Sequence, residues 1–296
     1  MTNKKLPDPV FGFGCWAFMY GCNDRFGSDY NPHPLALEEV FDLAADTEGI
    51  DYVCGHYPGE FPDDVARLTE LATTRKIGIA NVVAKTFGSK FKNGGITNPD
   101  PKLRAEALGV VTRCMEMNNA LLPVMKKLGK TLGCTYSVNW LGHDGSNGLF
   151  TTDYGQRWKW LIEGYAEAFR RVPSCKIALE PKPGDPAEDI FVRMIVHGLY
   201  LSRRVDELLP QEQRGRLGLN PEYGHEHLAE CVNTVRYRRA LIELMPGPQE
   251  MQALYSDPDE TRVSKLIRDV RNRKVSFVEA RYRGARNQVA TGKSAT

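Results

Sequence analysis

The sequence predicts an α/β protein in which parallel strands alternate with helices and close as a (β/α) barrel. Short apolar runs with polar, Gly- or Pro-rich ends alternate with segments of helical period six times between residues 10 and 230. That is the pattern of strand and crossover helix in a parallel sheet. Two of the runs, Lys176 to Leu179 and Leu217 to Leu219, turn abruptly polar, as Glu180-Pro181-Lys182-Pro183 and Asn220-Pro221-Glu222-Tyr223-Gly224-His225. Such folds bind ligands at the C-terminal ends of their strands, so carboxylates delivered there select a barrel with chemistry at its mouth. A chain of 296 residues suffices for one barrel with an added arm.

Val10 to Phe18 reads as the first strand, and Trp16 at its end either walls a ligand site or joins the barrel core. Asn31 to Pro34 offers a helix start, after which Leu35, Leu37, Val40, Phe41 and Ala44 fall at helical spacing. Ile50 to Tyr57 is the second strand, ending in Cys54-Gly55-His56-Tyr57-Pro58. Asp63 to Thr74 follows as a helix and Lys76 to Lys85 as the third strand. Residues 86 to 101 form a Gly, Asn and Pro loop of a length typical of lids and interfaces, with Phe87 or Phe91 able to reach a neighbouring site.

Pro101 to Gly129 is helical in period, with a break expected near Asn118-Asn119. Thr131 to Trp140 reads as the fourth strand and opens onto Leu141-Gly142-His143-Asp144-Gly145. There His143 and Asp144 are either an acid/base or hydrogen-bonding pair, or a turn with a solvated Asp. Asp153 to Val172 is an amphipathic helix with Trp158, Leu161, Ile162, Tyr165 and Phe169 on one face. Ala187 to Leu209 is expected as the helix after the strand that carries Glu180.

Glu180, Glu222 and His225 supply the donor types that suit a hard or borderline divalent cation, and the Lys182 ammonium could polarise a substrate oxygen. The bland alternative is an ion pair of Glu180 with Lys182 capping a strand. Lys plus Arg total 39 against 37 acidic residues, so charge points to a small-molecule partner rather than to nucleic acid or a membrane. Met1 to Pro9 has no apolar leader core, and no run of eighteen apolar residues occurs, which makes a cytoplasmic protein the expectation. Seven scattered cysteines without a Cys-x-x-Cys pair read as reduced, buried thiols. No nucleotide-phosphate loop follows any strand.

On these motifs the chain resembles the xylose isomerase-like TIM barrels, the sugar isomerase and epimerase superfamily. The resemblance rests on the Glu-Pro-Lys-Pro and Asn-Pro-Glu-x-x-His strand ends. Phe11 to Trp16, Phe91-Lys92-Asn93-Gly94-Gly95 and Trp140-Leu141-Gly142-His143-Asp144-Gly145 fall in family order. It covers roughly residues 10 to 230 and implies a metal-dependent aldose–ketose isomerase or epimerase that uses magnesium, manganese or cobalt. Glu180, Glu222 and His225 are then metal ligands, Lys182 a substrate contact, and His225 also an acid/base. Trp16, Trp140 and His143 line the sugar site, and His56 assists ring opening, with Glu60 standing in for the Asp that orients the family's histidine.

Beyond His225 no segment like the family's late His-Ile-Asp-Leu-Asn is present. Asp257-Pro258-Asp259-Glu260 is either a replacement ligand set, with Glu279, or a helix N-cap with an acidic first turn. Residues 231 to 296 resemble the helical arm by which xylose isomerases embrace their neighbours, as if the last strand and helix units were lost, which implies a dimer or tetramer built on a barrel of residues 1 to 230 that is incomplete in its last units. Two other activities stay open: a catalytically degenerate sugar-binding or assembly barrel, and a lyase-type relative acting on sugar conjugates. The histidine-rich apurinic endonucleases of the superfamily fit poorly, since the chain has six His and a near-neutral charge.

Overall fold

Six of the short apolar runs line up side by side in chain order. The computed structural model describes residues 10–19, 34–141, 144–146, 153–182 and 189–220. In order these form β1 (Phe11–Gly14), α1 (Leu37–Asp46), β2 (Ile50–Tyr57), α2 (Val65–Arg75), β3 (Gly78–Ala84) and α3 (Pro101–Lys127). There follow β4 (Ser137–Trp140), β5 (Gly145–Ser146), α4 (Tyr154–Arg171), β6 (Ile177–Glu180), β7 (Asp189–Ile190), α5 (Ile195–Glu207) and β8 (Leu217–Leu219). Strands β1, β2, β3, β4, β6 and β8 make one parallel sheet in that sequence. An order that never reverses is the order of a TIM-type barrel, whereas a doubly wound sheet switches direction at its ligand site.

Period-two alternation, shifted once in β3 by the register irregularity between Ile79 and Val82, divides the strand side chains into two layers. Val53, Ile79, Val82, Ile177 and Leu179 turn outward into one core with Phe41, Leu68, Met115, Leu121 and Phe169 of the helices. The alternate positions, Tyr52, Cys54, His56, Val138, Trp140, Ala178 and Glu180, belong to the other face. Helices α2, α3 and α4 start where a polar side chain satisfies a free N–H group. Asp64 accepts from the Arg67 N–H at 2.9 Å, Asp100 from Lys102 at 2.8 Å, and Asp153 from Gln156 at 2.9 Å.

Several expectations are corrected. The first strand ends at Gly14 and gives way to a 3-10 turn over Cys15–Ala17. The fourth begins at Ser137 because Cys134, at φ 54°, turns the chain and donates its N–H to the Ala80 carbonyl. No break interrupts α3 at Asn118. Its carboxamide oxygen accepts the Val82 N–H at 3.1 Å and its amide donates to the Val82 and Cys114 carbonyls, so a residue that disfavours helices locally is held by β3. The helix expected from Ala187 starts at Ile195, because Asp189–Ile190 pairs antiparallel with Gly145–Ser146 and Phe191 and Val192 are buried.

The segment 86–100 is pinned rather than poised as a lid. Phe91, Ile96, Thr97 and Asn98 are buried. Gly94 turns the chain at φ 112°, and its carbonyl accepts the Asn98 amide at 2.6 Å. Arg157 donates to the Asn93 carbonyl at 3.1 Å. No helix among the described residues is long and apolar enough to cross a membrane. The expected C-terminal extension, with Asp257, Asp259, Glu260 and Glu279, lies outside the described residues.

Candidate active site

The candidate site collects at the C-terminal ends of the strands. At the end of β2 the chain turns through Tyr57 to Glu60, so that the Glu60 carboxylate folds back onto His56. One carboxylate oxygen accepts the His56 backbone N–H at 2.7 Å and lies 2.8 Å from its Nδ1. With an acceptor at that distance the imidazole carries its proton on Nδ1, and Nε2 is the atom left for a ligand. Glu60 is 7% exposed. Burial by itself would raise its pKa, yet the hydrogen bonds and charge at His56, with Lys85 nearby, hold the carboxyl below its ordinary value.

Aromatic rings continue the wall from His56 in both directions. Trp16, carried past β1 by the 3-10 turn, lies 4.7 Å from the imidazole between ring centres. On the other side Phe87, just after β3, meets His56 edge-on at 5.4 Å and Trp140 at 4.3 Å. Trp140 ends β4 directly opposite Glu180 in the register with β6. The Lys182 ammonium sits over the Trp140 ring at 4.2 Å, a cation–π arrangement that holds the charge at the wall. Asn220, just past β8, places its amide 3.4 Å from a Glu180 carboxylate oxygen. Glu180 also acts across the sheet: burial, and then the charges of Glu180 and Glu60, push the Cys54 thiol up to about 12. Cys54 is thereby a protonated, inert thiol, as is buried Cys15.

Of the residues expected from sequence, Trp16, His56, Trp140, Glu180 and Lys182 are brought to one face by four strand ends. His143, Glu222 and His225 lie outside the described residues. Phe87 belongs to this chain's own wall, and Phe91 is core instead of reaching a neighbouring site. Asp144 is neither solvated nor paired with the cleft; it is fully buried against Thr97. Asn220, to which the motif alone assigns no role, stands one strand after Glu180 at the matching position. A separate cavity of about 310 Å3, lined by Phe13, Tyr52, Cys54 and Tyr136 among others, contains neither carboxylate nor imidazole.

No protein-family model matches the chain. The xylose isomerase of Thermus thermophilus is 27% identical over 278 residues, which cover 90% of this chain and 65% of that one. The xylose isomerase of Thermus caldophilus is 26% identical over 291 residues, 92% of this chain and 68% of the relative. Among solved structures, D-allulose 3-epimerase from Methylomonas sp. superposes with a TM-score of 0.51 at 14% identity, over 74% of this chain and 64% of that one. The chain is similar in sequence to xylose isomerases and has the fold of a TIM-barrel epimerase. It spans about two thirds of the length of these curated relatives.

In a barrel with this likeness, the donors at the strand ends decide whether a divalent cation can be held. Glu180 is a donor of the right type, a half-buried carboxylate at a strand end with the Asn220 amide 3.4 Å from one oxygen. Among the described residues no group of three or more His, Cys, Asp or Glu side chains is arranged to hold a cation. Glu180 is thus the one member of the expected ligand set whose surroundings are visible.

Proposed function

We propose that this protein is a divalent-metal-dependent isomerase or epimerase of a free sugar or close derivative, of the aldose–ketose type. The observation that carries the reading is the continuous wall Trp16–His56–Phe87–Trp140, bounded by Lys182 and set beside Glu180. Flat aromatic faces suit the C–H faces of a carbohydrate, and the polar groups at the rim are few and convergent. The relatives' names, xylose isomerase and D-allulose 3-epimerase, support the same class of substrate.

In this reading Trp16, Phe87 and Trp140 seat the sugar and exclude water. Glu60 keeps His56 oriented, and Nε2 of His56 exchanges a proton with the ring oxygen or anomeric hydroxyl as the ring opens. Lys182 binds the oxygen at the carbon where charge develops. Glu180 binds the cation, with Glu222 and His225 proposed as its remaining ligands. The cation, when bound, polarises the carbonyl and hydroxyl at adjacent carbons. Residues 231–296 are proposed as an arm that pairs subunits of a homo-oligomer around barrels of residues 1–230.

The direct test is conversion of D-xylose and D-allulose, followed by chromatography of the products, with manganese present or chelated. Turnover should require the ion and fall by about 10²-fold or more in His56→Ala. Conversion that proceeds equally under chelation would contradict the metal-dependent reading, and absence of conversion with retained sugar binding would favour a non-catalytic barrel.

A further inference from the structure

We propose that Asp144 is a positioning residue that knots the loops after β3, β4 and β6 and so sets Phe87 against His56 and Trp140. Its consequence for ligand binding rests on the sugar-site reading above; the knot itself does not. Asp144 lies just past β4 and is 0% exposed. Its Oδ1 accepts both the backbone N–H and the hydroxyl of Thr97, each at 2.7 Å, which fixes the loop after β3. Its own N–H donates to the Leu141 carbonyl at 3.0 Å, and its carbonyl accepts the Phe191 N–H at 3.0 Å, which ties the segment at Phe191 to the end of β4. The neighbouring Val192 carbonyl accepts the Lys182 N–H at 3.0 Å, so the same knot holds the backbone that carries Lys182.

The route to Phe87 runs through Gly95. A Cβ at that position would stand 3.2 Å from Asp144 Oδ2 and 2.8 Å from the carbonyl of Thr86. Asp144 therefore packs through Gly95 onto the residue that precedes Phe87, and the contact leaves no room for a side chain. Arg157 of α4, which clamps the Asn93 carbonyl, and the Tyr165 hydroxyl are the other titratable groups that act on this carboxylate. A buried carboxylate is retained at a cost, since burial pushes Asp144 up to about 6 against the pull of the Thr97 hydrogen bonds. The two buried Thr97 donors require a strong acceptor, which no apolar residue supplies.

The test is hydrogen exchange on the purified full chain, read on peptides covering residues 86–97, for wild type, Asp144→Ala, Asp144→Asn and Thr97→Val. Asparagine keeps the acceptor oxygen, so exchange there should rise on the order of tenfold or more in Asp144→Ala, stay near wild type in Asp144→Asn, and be intermediate in Thr97→Val. Unchanged exchange in Asp144→Ala would overturn the proposal, as would a uniform rise across the molecule in all three variants. A parallel titration with D-xylose as probe should weaken alike in Asp144→Ala and Phe87→Ala, with no further loss in the double variant. Additive losses would overturn the link to Phe87. Wild type that binds no sugar while the exchange pattern holds would instead sink the sugar reading and leave the knot standing.

Discussion

At the scale of single residues, burial and partner decide what each ionisable group can do. Glu60 and Asp144 are both buried carboxylates, but Glu60 has an imidazole to pair with and Asp144 has only neutral donors. Glu60 is accordingly held low and Asp144 raised to about 6. For Asp144 the folded state binds its proton more tightly than the unfolded chain, whose value is 3.8, so this group favours folding fully below pH 4. That contribution is lost as pH rises from about 4 to 6, a change on the order of 3 kcal/mol. Urea midpoints of wild type should therefore fall relative to Asp144→Asn across that window, and parallel profiles would contradict the assignment. Glu60→Gln removes the orienting charge from His56 while keeping its shape. Turnover should drop about 10²-fold with little change in KM, measured on whichever sugar the screen identifies. Glu60 was named from sequence only as a stand-in, because spacing shows that it can reach His56 and not that it folds back to take two hydrogen bonds.

At the scale of elements, hydrophobic period was legible, whereas the capping residues and long-range satisfaction were not. The strand cores and amphipathic helices follow from side-chain alternation, which depends only on neighbours in sequence. Asn118 looked like a helix breaker because its amide competes with its own backbone, yet β3 supplies the partner from 36 residues away. Asn118→Ala should then leave the buried Val82 N–H unsatisfied and destabilise by about 1–3 kcal/mol in urea unfolding. No loss would mean that this bond is not what carries α3 past that point. The same blindness applies to residues 86–100, which read as a lid by length and are pinned by Asp144 and Arg157. It also applies to α5, whose late start follows from the pairing of Asp189–Ile190 with Gly145–Ser146.

At the scale of the whole molecule, the parallel strand order and the gathering of Trp16, His56, Trp140, Glu180 and Lys182 were readable because a barrel places every strand's C-terminal end on one side. The distances within that face, and the part of Phe87 in its wall, required the structure. On the proposed reading, Glu180 helps hold a divalent cation beside this wall. It is tested most directly by equilibrium dialysis of the full chain against manganese, with the ion quantified per chain for wild type and Glu180→Gln. Wild type should bind the ion stoichiometrically, and Glu180→Gln should lose at least tenfold in affinity. Equal binding by the two proteins, or none by wild type, would contradict it.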